Sequence, residues 1–211
     1  MPRGEIVRLH PVTPEKRLIA GAVEVLRAGG VVAYPTDSTY ALGCRLGDKA
    51  AAERLRRLHG TDRHHPFTLL CRDLSEIATY ARVDNPAYRL LRTLTPGPYT
   101  FVLPATREVP RRLMHAKRKT IGIRVPDHTV ARALLEAFGA PLMTATVIDA
   151  DDLEPLADAD AVALAYGNAL DLILDGGPTP GEPTTVLRLT SDRVELLRRG
   201  RGPVGDWAEP A

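Results

Sequence analysis

Cysteine, aromatic residues and long apolar runs are all scarce in this 211-residue chain. The two cysteines, Cys44 and Cys71, both sit in apolar, strand-like segments. That excludes a disulfide scaffold and fits thiols used as small hydrophobes in a reducing compartment. No histidines, cysteines or carboxylates have the spacing of a zinc site, so no metal centre is expected. Aromatics make up 5% of the residues, too few for a stacking platform for single-stranded nucleic acid. No stretch approaches the ~20 apolar residues that span a membrane. The opening MPRGEIVRLHPVT lacks the apolar core of a signal peptide. A cytoplasmic protein without a membrane partner is the expectation. An excess of one charge is missing too: 28 Lys and Arg against 26 Asp and Glu leave a net charge of +2. Any contact with nucleic acid therefore has to rest on a local patch.

What is present is a regular alternation of strand and helix patterns. Strands are expected at 5–10, 31–34, 41–44, 67–71, 99–103, 120–125, 141–147, 170–174, 184–189 and 194–199. Between them, Thr13 reads as an N-cap with Pro14 at the first helical position, and Gly29-Gly30 as the stop. Asp48, Asp84 and Asp127 read as further N-caps, and Asp73-Leu-Ser-Glu76 as a capping box. A last helix is expected near 159–166. Several strand pairs lie too close together for a helical crossover, so the sheet must be mixed. The result is a layered α/β domain without repeats. Residues 203–211 read as a loose C-terminal tail.

Charge is unevenly placed. Arg54 to Arg63 holds four arginines and one acid, Arg107 to Lys119 six bases and one acid, and Asp149 to Asp160 six acids and no base. Each run reads equally as a solvated face or as one wall of a cleft. The turn Pro35-Thr36-Asp37-Ser38-Thr39-Tyr40 places hydroxyls and a carboxylate between two buried strands. It reads either as a ligand site at strand ends or as a turn that satisfies its own backbone. Arg57 suits bidentate contact with phosphate or carboxylate, or charge balance at a helix C-terminus. Arg124, alternating with Gly122, needs an anion from a salt bridge or from a ligand. Gly200-Arg-Gly-Pro-Val-Gly205 matches GxGxxG literally but precedes no helix, so it is not a dinucleotide fingerprint. No Walker A motif, nucleophile elbow or carboxylate pair is present.

Taken in order, GGVVAYPTDSTYALGC, HPFTLLC, TPGPYTFVLPA, TIGIRVPDH, PLMTAT, PTTVLRL and LLRRG resemble the YrdC-like family of threonylcarbamoyl-AMP synthases over residues 14–202. FTLLCRDLSE and EVPRRL…KRKTIGIRVP look closest to its YciO branch. The resemblance implies an α/β YrdC-like domain whose twisted mixed sheet, flanked by helices, frames a basic concave cleft. It also implies a reaction: L-threonine, bicarbonate and ATP give threonylcarbamoyl-AMP and diphosphate, for the threonylcarbamoyladenosine modification of tRNA. ATP is then a substrate, and Mg²⁺ is implied with it. Position by position, Thr36, Ser38, His65 and Thr184 fall on the threonine side. Arg57 and Arg124 fall at the reacting phosphate, and Thr144, Thr146 and Arg198 along the nucleotide. The family's positively charged surface for double-stranded RNA would correspond to Arg111, Arg112, Lys117 and Lys119. The chain departs from the pattern in three places. The K-x-R pair is Arg57-x-His59, the S-A-N-x-S-G block is Thr146-Val147-Ile148-Asp149, and the STVVD block ends in Arg188. These leave open a second expectation: a nucleotide- or RNA-binding member with little or no synthesis.

Overall fold

Four aspartates set the start of helices in the structure. Asp48, Asp73, Asp84 and Asp158 each accept the backbone N–H three residues on, at 2.8–3.0 Å. The computed structural model describes residues 4–60, 67–115, 117–149 and 153–210, apart from the side chain of Arg112. Their elements run β1 (Glu5–Arg8), α1 (Lys16–Arg27), β2 (Val32–Pro35), β3 (Tyr40–Arg45), α2 (Lys49–His59), β4 (Thr68–Leu70), α3 (Leu74–Tyr80), α4 (Asn85–Leu94) and β5 (Tyr99–Pro104). There follow β6 (Thr120–Arg124), α5 (Thr129–Phe138), β7 (Leu142–Thr146), α6 (Ala159–Tyr166), β8 (Leu172–Asp175), β9 (Thr185–Leu189), β10 (Val194–Arg198) and β11 (Glu209–Pro210).

Two expected caps shift, each for a local reason. Helix α1 begins at Lys16 with Glu15 before it, because the Thr13 hydroxyl is engaged with His10 Nδ1 at 3.0 Å. Helix α5 begins at Thr129 with His128 at the N-cap and no side-chain cap bond, while Asp127 reaches Arg132 instead. The capping box is displaced by one residue: Asp73 takes the Glu76 N–H, and Glu76 takes that of Arg72.

All strands join one sheet in the order β1-β8-β2-β3-β7-β4-β6-β5-β9-β10-β11. It is mixed as expected. For example, β3 runs antiparallel to β2 and β7, whereas β4 is parallel to β6 and β5 to β9. Residues 203–210 are not loose. The Tyr99 hydroxyl donates to the Pro203 carbonyl at 2.8 Å, Trp207 lies against Gly205, and β11 adds to β10 as a parallel edge strand. Strand β1 likewise extends the sheet before residue 14, pairing with β8. Gly200 and Gly202 pack where a Cβ would strike the Pro183 carbonyl and the Tyr99 ring. The glycines of the discounted GxGxxG thus serve close backbone packing.

The two faces are covered unequally. Helices α2, α3, α4 and α6 bury Leu55, Ile77, Leu91 and Val162 against inward residues of strands from β2 to β9. On the other face α1 and α5 bury Leu26, Leu134 and Phe138 against β1, β2, β3, β4, β7 and β8. Over β5, β6 and β9 this second face carries no helix among the described residues, and the strands there show Thr100, Val102, Gly122, Val186 and Arg188 instead of a core. Both cysteines are buried; burial pushes the Cys44 thiol up to about 12 and Cys71 above its ordinary value, so neither is a thiolate near neutral pH. Among the described residues no helix is long and apolar enough to cross a membrane.

Where the covered half ends, the Tyr34 ring crosses Gly43 to reach Thr144. A Cβ on Gly43 would lie 2.6 Å from that ring. Gly43→Ala is expected to destabilise the fold by about 1–3 kcal/mol through overpacking. Urea denaturation measures this, and an unchanged midpoint would mean that the ring is free to move away.

Candidate functional site

The uncovered half of the sheet is the floor of a cleft of about 650 Å³. One row of register partners crosses it: Thr144 to Thr68, Thr68 to Gly122, Gly122 to Val102, and Val102 to Arg188. Alternation along each strand keeps these five on the open face. Gly122 is the low point, since a Cβ there would stand 2.9 Å from Thr68 Oγ1. Ile148, Leu153 and Pro155 form an apolar wall on one side, and Pro183, Thr184, Leu197 and Arg198 line the other. Among the described residues the lining holds Arg118, Arg124, Arg188 and Arg198 against one carboxylate, Glu154. A concave, low-dielectric wall carrying one sign of charge draws in anions.

The polar turn is held from within. Thr36 is fully buried; its Oγ1 accepts the N–H of Ser38 and Thr39 at 3.2 and 3.3 Å and donates to the Thr39 carbonyl at 2.6 Å. Arg124 Nη2 also donates to it at 3.1 Å and pairs with the Asp37 carboxylate. Ser38 Oγ lies 3.1 Å from Thr36 Oγ1 and is 1% exposed. Neither Thr36 nor Ser38 lines the cleft; the group they and Asp37 surround, Arg124 of β6, does. Within the same ion pair Asp37 Oδ2 and Arg124 Nε are buried without a partner. His128, close by, is held below its usual pKa by burial, which outweighs the opposing pull of Asp37.

At the far wall Thr184 is 6% exposed, with its hydroxyl 2.8 Å from that of Thr100. Arg198 donates to the Thr184 carbonyl at 2.9 Å from Nη2 and 3.3 Å from Nε. Among the described residues no carboxylate pairs with Arg198, and burial lowers its pKa. Thr144 Oγ1 is committed, accepting from Tyr34 and donating to the Leu42 carbonyl, both at 2.9 Å. Thr146 stands half-buried on the cleft.

The arginines of α2 take separate paths. Arg54 pairs with Asp171, Arg56 lies 4.8 Å over the Phe67 ring, and Arg57 is exposed and outside the lining. His59, three residues after Arg56 and hence on its side of the helix, does line the cleft. Burial lowers its pKa. His65 lies outside the described residues. Arg111, Lys117 and Lys119 are exposed on the segment between β5 and β6; Arg112 shares a 3₁₀ turn with Arg111 there. The same segment sends His115 and Arg118 into the cleft, and neither was among the expected site residues. Thr100 was missed as well; its signal was the alternation of β5. Among the described residues no three His, Cys, Asp or Glu side chains come together as for a metal ion.

A mixed sheet with one helix-free, arginine-lined half defines the class. The family model Sua5_yciO_yrdC, described as "Telomere recombination", matches residues 24–200, and the chain belongs to that family. It is 48% identical to the uncharacterised protein YciO of Escherichia coli K12 over 93% of this chain and 95% of that one. The crystal structure of E. coli YciO superposes with a TM-score of 0.93 at 46% identity, covering 98% of this chain and all of that one. A threonylcarbamoyl-AMP synthase of Coxiella burnetii is 32% identical over 76% of this chain and 87% of its own. P. abyssi Sua5 in complex with L-threonine superposes at 0.86 with 28% identity, over 93% of this chain and 57% of that one.

Removing one member of a buried ion pair strands the other. Asp37→Ala is expected to cost about 3–5 kcal/mol in chemical denaturation, with part regained in Asp37→Ala/Arg124→Met. Equal stability of Asp37→Ala and the parent would remove Asp37 as the anchor of Arg124.

Proposed function

We propose that the chain is a nucleotidyltransferase of the threonylcarbamoyl-AMP synthase type, joining L-threonine, bicarbonate and ATP with release of diphosphate. The observation that carries this reading is Arg198: a part-buried guanidinium on the cleft wall, clamped to the Thr184 carbonyl and, among the described residues, without a carboxylate partner. Such a group is set for a ligand anion. The synthase relatives and the threonine-bound Sua5 structure support the same substrates.

The chemistry asks little of the protein beyond charge and position. The carbamate formed from the threonine amine and bicarbonate, with loss of water, is already anionic and needs no strong base. Its oxygen attacks the α-phosphorus, and diphosphate leaves with the bridging oxygen. Arginines held in a cleft neutralise the charge that gathers on phosphate and leaving group. In this reading Arg124 and Arg198 face the reacting phosphate and the threonine carboxylate. Thr36, Ser38 and Asp37 act from behind by fixing Arg124, and Thr184 does so for Arg198. Thr146 and Thr100 supply hydroxyls, and the apolar wall at Ile148 and Pro155 takes the adenine. Mg²⁺ enters on the phosphates of ATP, as part of the substrate.

One feature favours a second reading. Val147 is fully buried and Ile148 faces the cleft, so these two positions offer the nucleotide no polar side chain. A member that binds nucleotide or double-stranded RNA without efficient synthesis fits that wall. Diphosphate release from ATP separates the two. Synthesis predicts release that needs both L-threonine and bicarbonate and falls by about tenfold or more in Arg198→Ala. Release indifferent to threonine would sink the synthase reading. RNA binding predicts a salt-dependent affinity that drops when Arg111, Arg112, Lys117 and Lys119 are reversed to glutamate.

A further inference from the structure

Among the described residues, three buried polar atoms that lack a partner meet behind the cleft wall: Asp37 Oδ2, Arg124 Nε and His128 Nδ1. Asp37 and Arg124 are the ion pair of the polar turn, with side chains 10% and 9% exposed. Contact runs through Asp37 Oδ1 and Arg124 Nη2, and the same Nη2 also donates to Thr36 Oγ1. One carboxylate oxygen and one guanidinium nitrogen are thus left over from a pairing that is often bidentate. His128 is the N-cap of α5 and makes no side-chain cap bond there. The fold holds it against the pair. Strand β6 ends at Arg124 and α5 begins at Thr129, while Gly176 is wedged between α5 and the turn. A Cβ on Gly176 would lie 2.7 Å from Val130 Cγ2 and 3.1 Å from Pro35 Cγ.

Among the described residues, three charged groups act on the His128 ring: Asp37 from the turn, Arg124 from β6 and Asp127 just before its own helix. Burial keeps the ring below its usual pKa and Arg124 works in the same direction, while Asp37 and Asp127 oppose them. The N-terminus of α5 also disfavours a cation. His128 is therefore neutral near neutral pH, and Asp37 answers Arg124. Acidification gives the ring a second N–H, so both nitrogens donate. The unused acceptor beside it is Asp37 Oδ2. A charged His128 then draws on the carboxylate that neutralises Arg124, and the cluster gains a positive charge.

We propose that His128 is a positioning residue for Arg124, and that its proton decides how much of the Asp37 charge Arg124 keeps. With His128 neutral, Asp37 holds Arg124 back toward the turn. With His128 charged, Arg124 is freer to meet an anion in the cleft. The coupling is reciprocal: an anion at Arg124 makes the proton on His128 easier to gain. This role rests on Arg124 as a ligand contact, as in the function proposed above, and not on the reaction that follows.

Inorganic sulfate is the probe, because its charge stays fixed from about pH 5 to about pH 8, the span in which histidine changes charge. NMR titration of sulfate into the parent and into His128→Asn, at both ends of that span, gives the affinities. The cleft also holds His59 and His115, so the difference between the two proteins is what is read. Acid is expected to strengthen sulfate binding by about fivefold more in the parent than in His128→Asn. In the unaltered protein the His128 ring signal is expected to titrate at a higher pH when sulfate is bound. That shift needs no variant, and a purely structural histidine does not show it. Equal pH dependence in the two proteins overturns the role, as does an unmoved ring titration or a parent that binds no sulfate at the acid end. L-threonine, whose charge is also fixed over this span, separates the role from the synthase reading. A His128-dependent response to sulfate with no binding of L-threonine retains the positioning role and discards the synthase. Threonine-dependent diphosphate release with equal pH dependence in both proteins does the reverse.

Discussion

Helices α1 and α5 cover only part of one face of an eleven-stranded sheet, and the cleft exists because no helix among the described residues covers the rest of that face. A sheet face without a helix cannot be lined with leucine and isoleucine at no cost. Here the strands answer with threonine, glycine, valine and arginine at the positions that alternation turns outward. The apolar work is done on the opposite face, where four helices pack. Stability and site are thus divided between the two sides of the same strands.

Each arginine in the cleft is held by a different device, and the device sets what it can do. Arg124 has its charge met by Asp37, so its place in the cleft depends on the polar turn behind it. Arg188 shares its carboxylate with a second arginine, and among the described residues Arg198 has only a carbonyl and a hydroxyl for company. Charge left unanswered increases from the first to the last. A ligand with several anionic groups is therefore met by graded partners.

Much of the fold was legible in the sequence. Period-two apolar runs and the aspartates before helices placed nearly every element, because both signals are local. The misplaced starts of α1 and α5 came from competition within a few residues: His10 for Thr13, and Arg132 for Asp127. The tail was misread because its strand owes its existence to β10 and to Tyr99, contacts far apart in sequence. The site was legible in kind but not in facing. Arg124, Thr184 and Arg198, which the family resemblance singled out, line the cleft. Arg57 does not, since one step along a helix turns a side chain by about 100°, and a run of like residues hides which one points inward. Thr36 and Ser38 stand behind the wall because the turn uses them for its own backbone.

The docked end of the chain carries Trp207, the single tryptophan of the sequence. It sits beside Gly205, 39% exposed, just before β11 and away from the cleft lining. Intrinsic tryptophan emission from this protein is therefore a local reporter of whether the outermost strand is seated. It will register fraying of that edge while staying silent to a nucleotide entering the cleft.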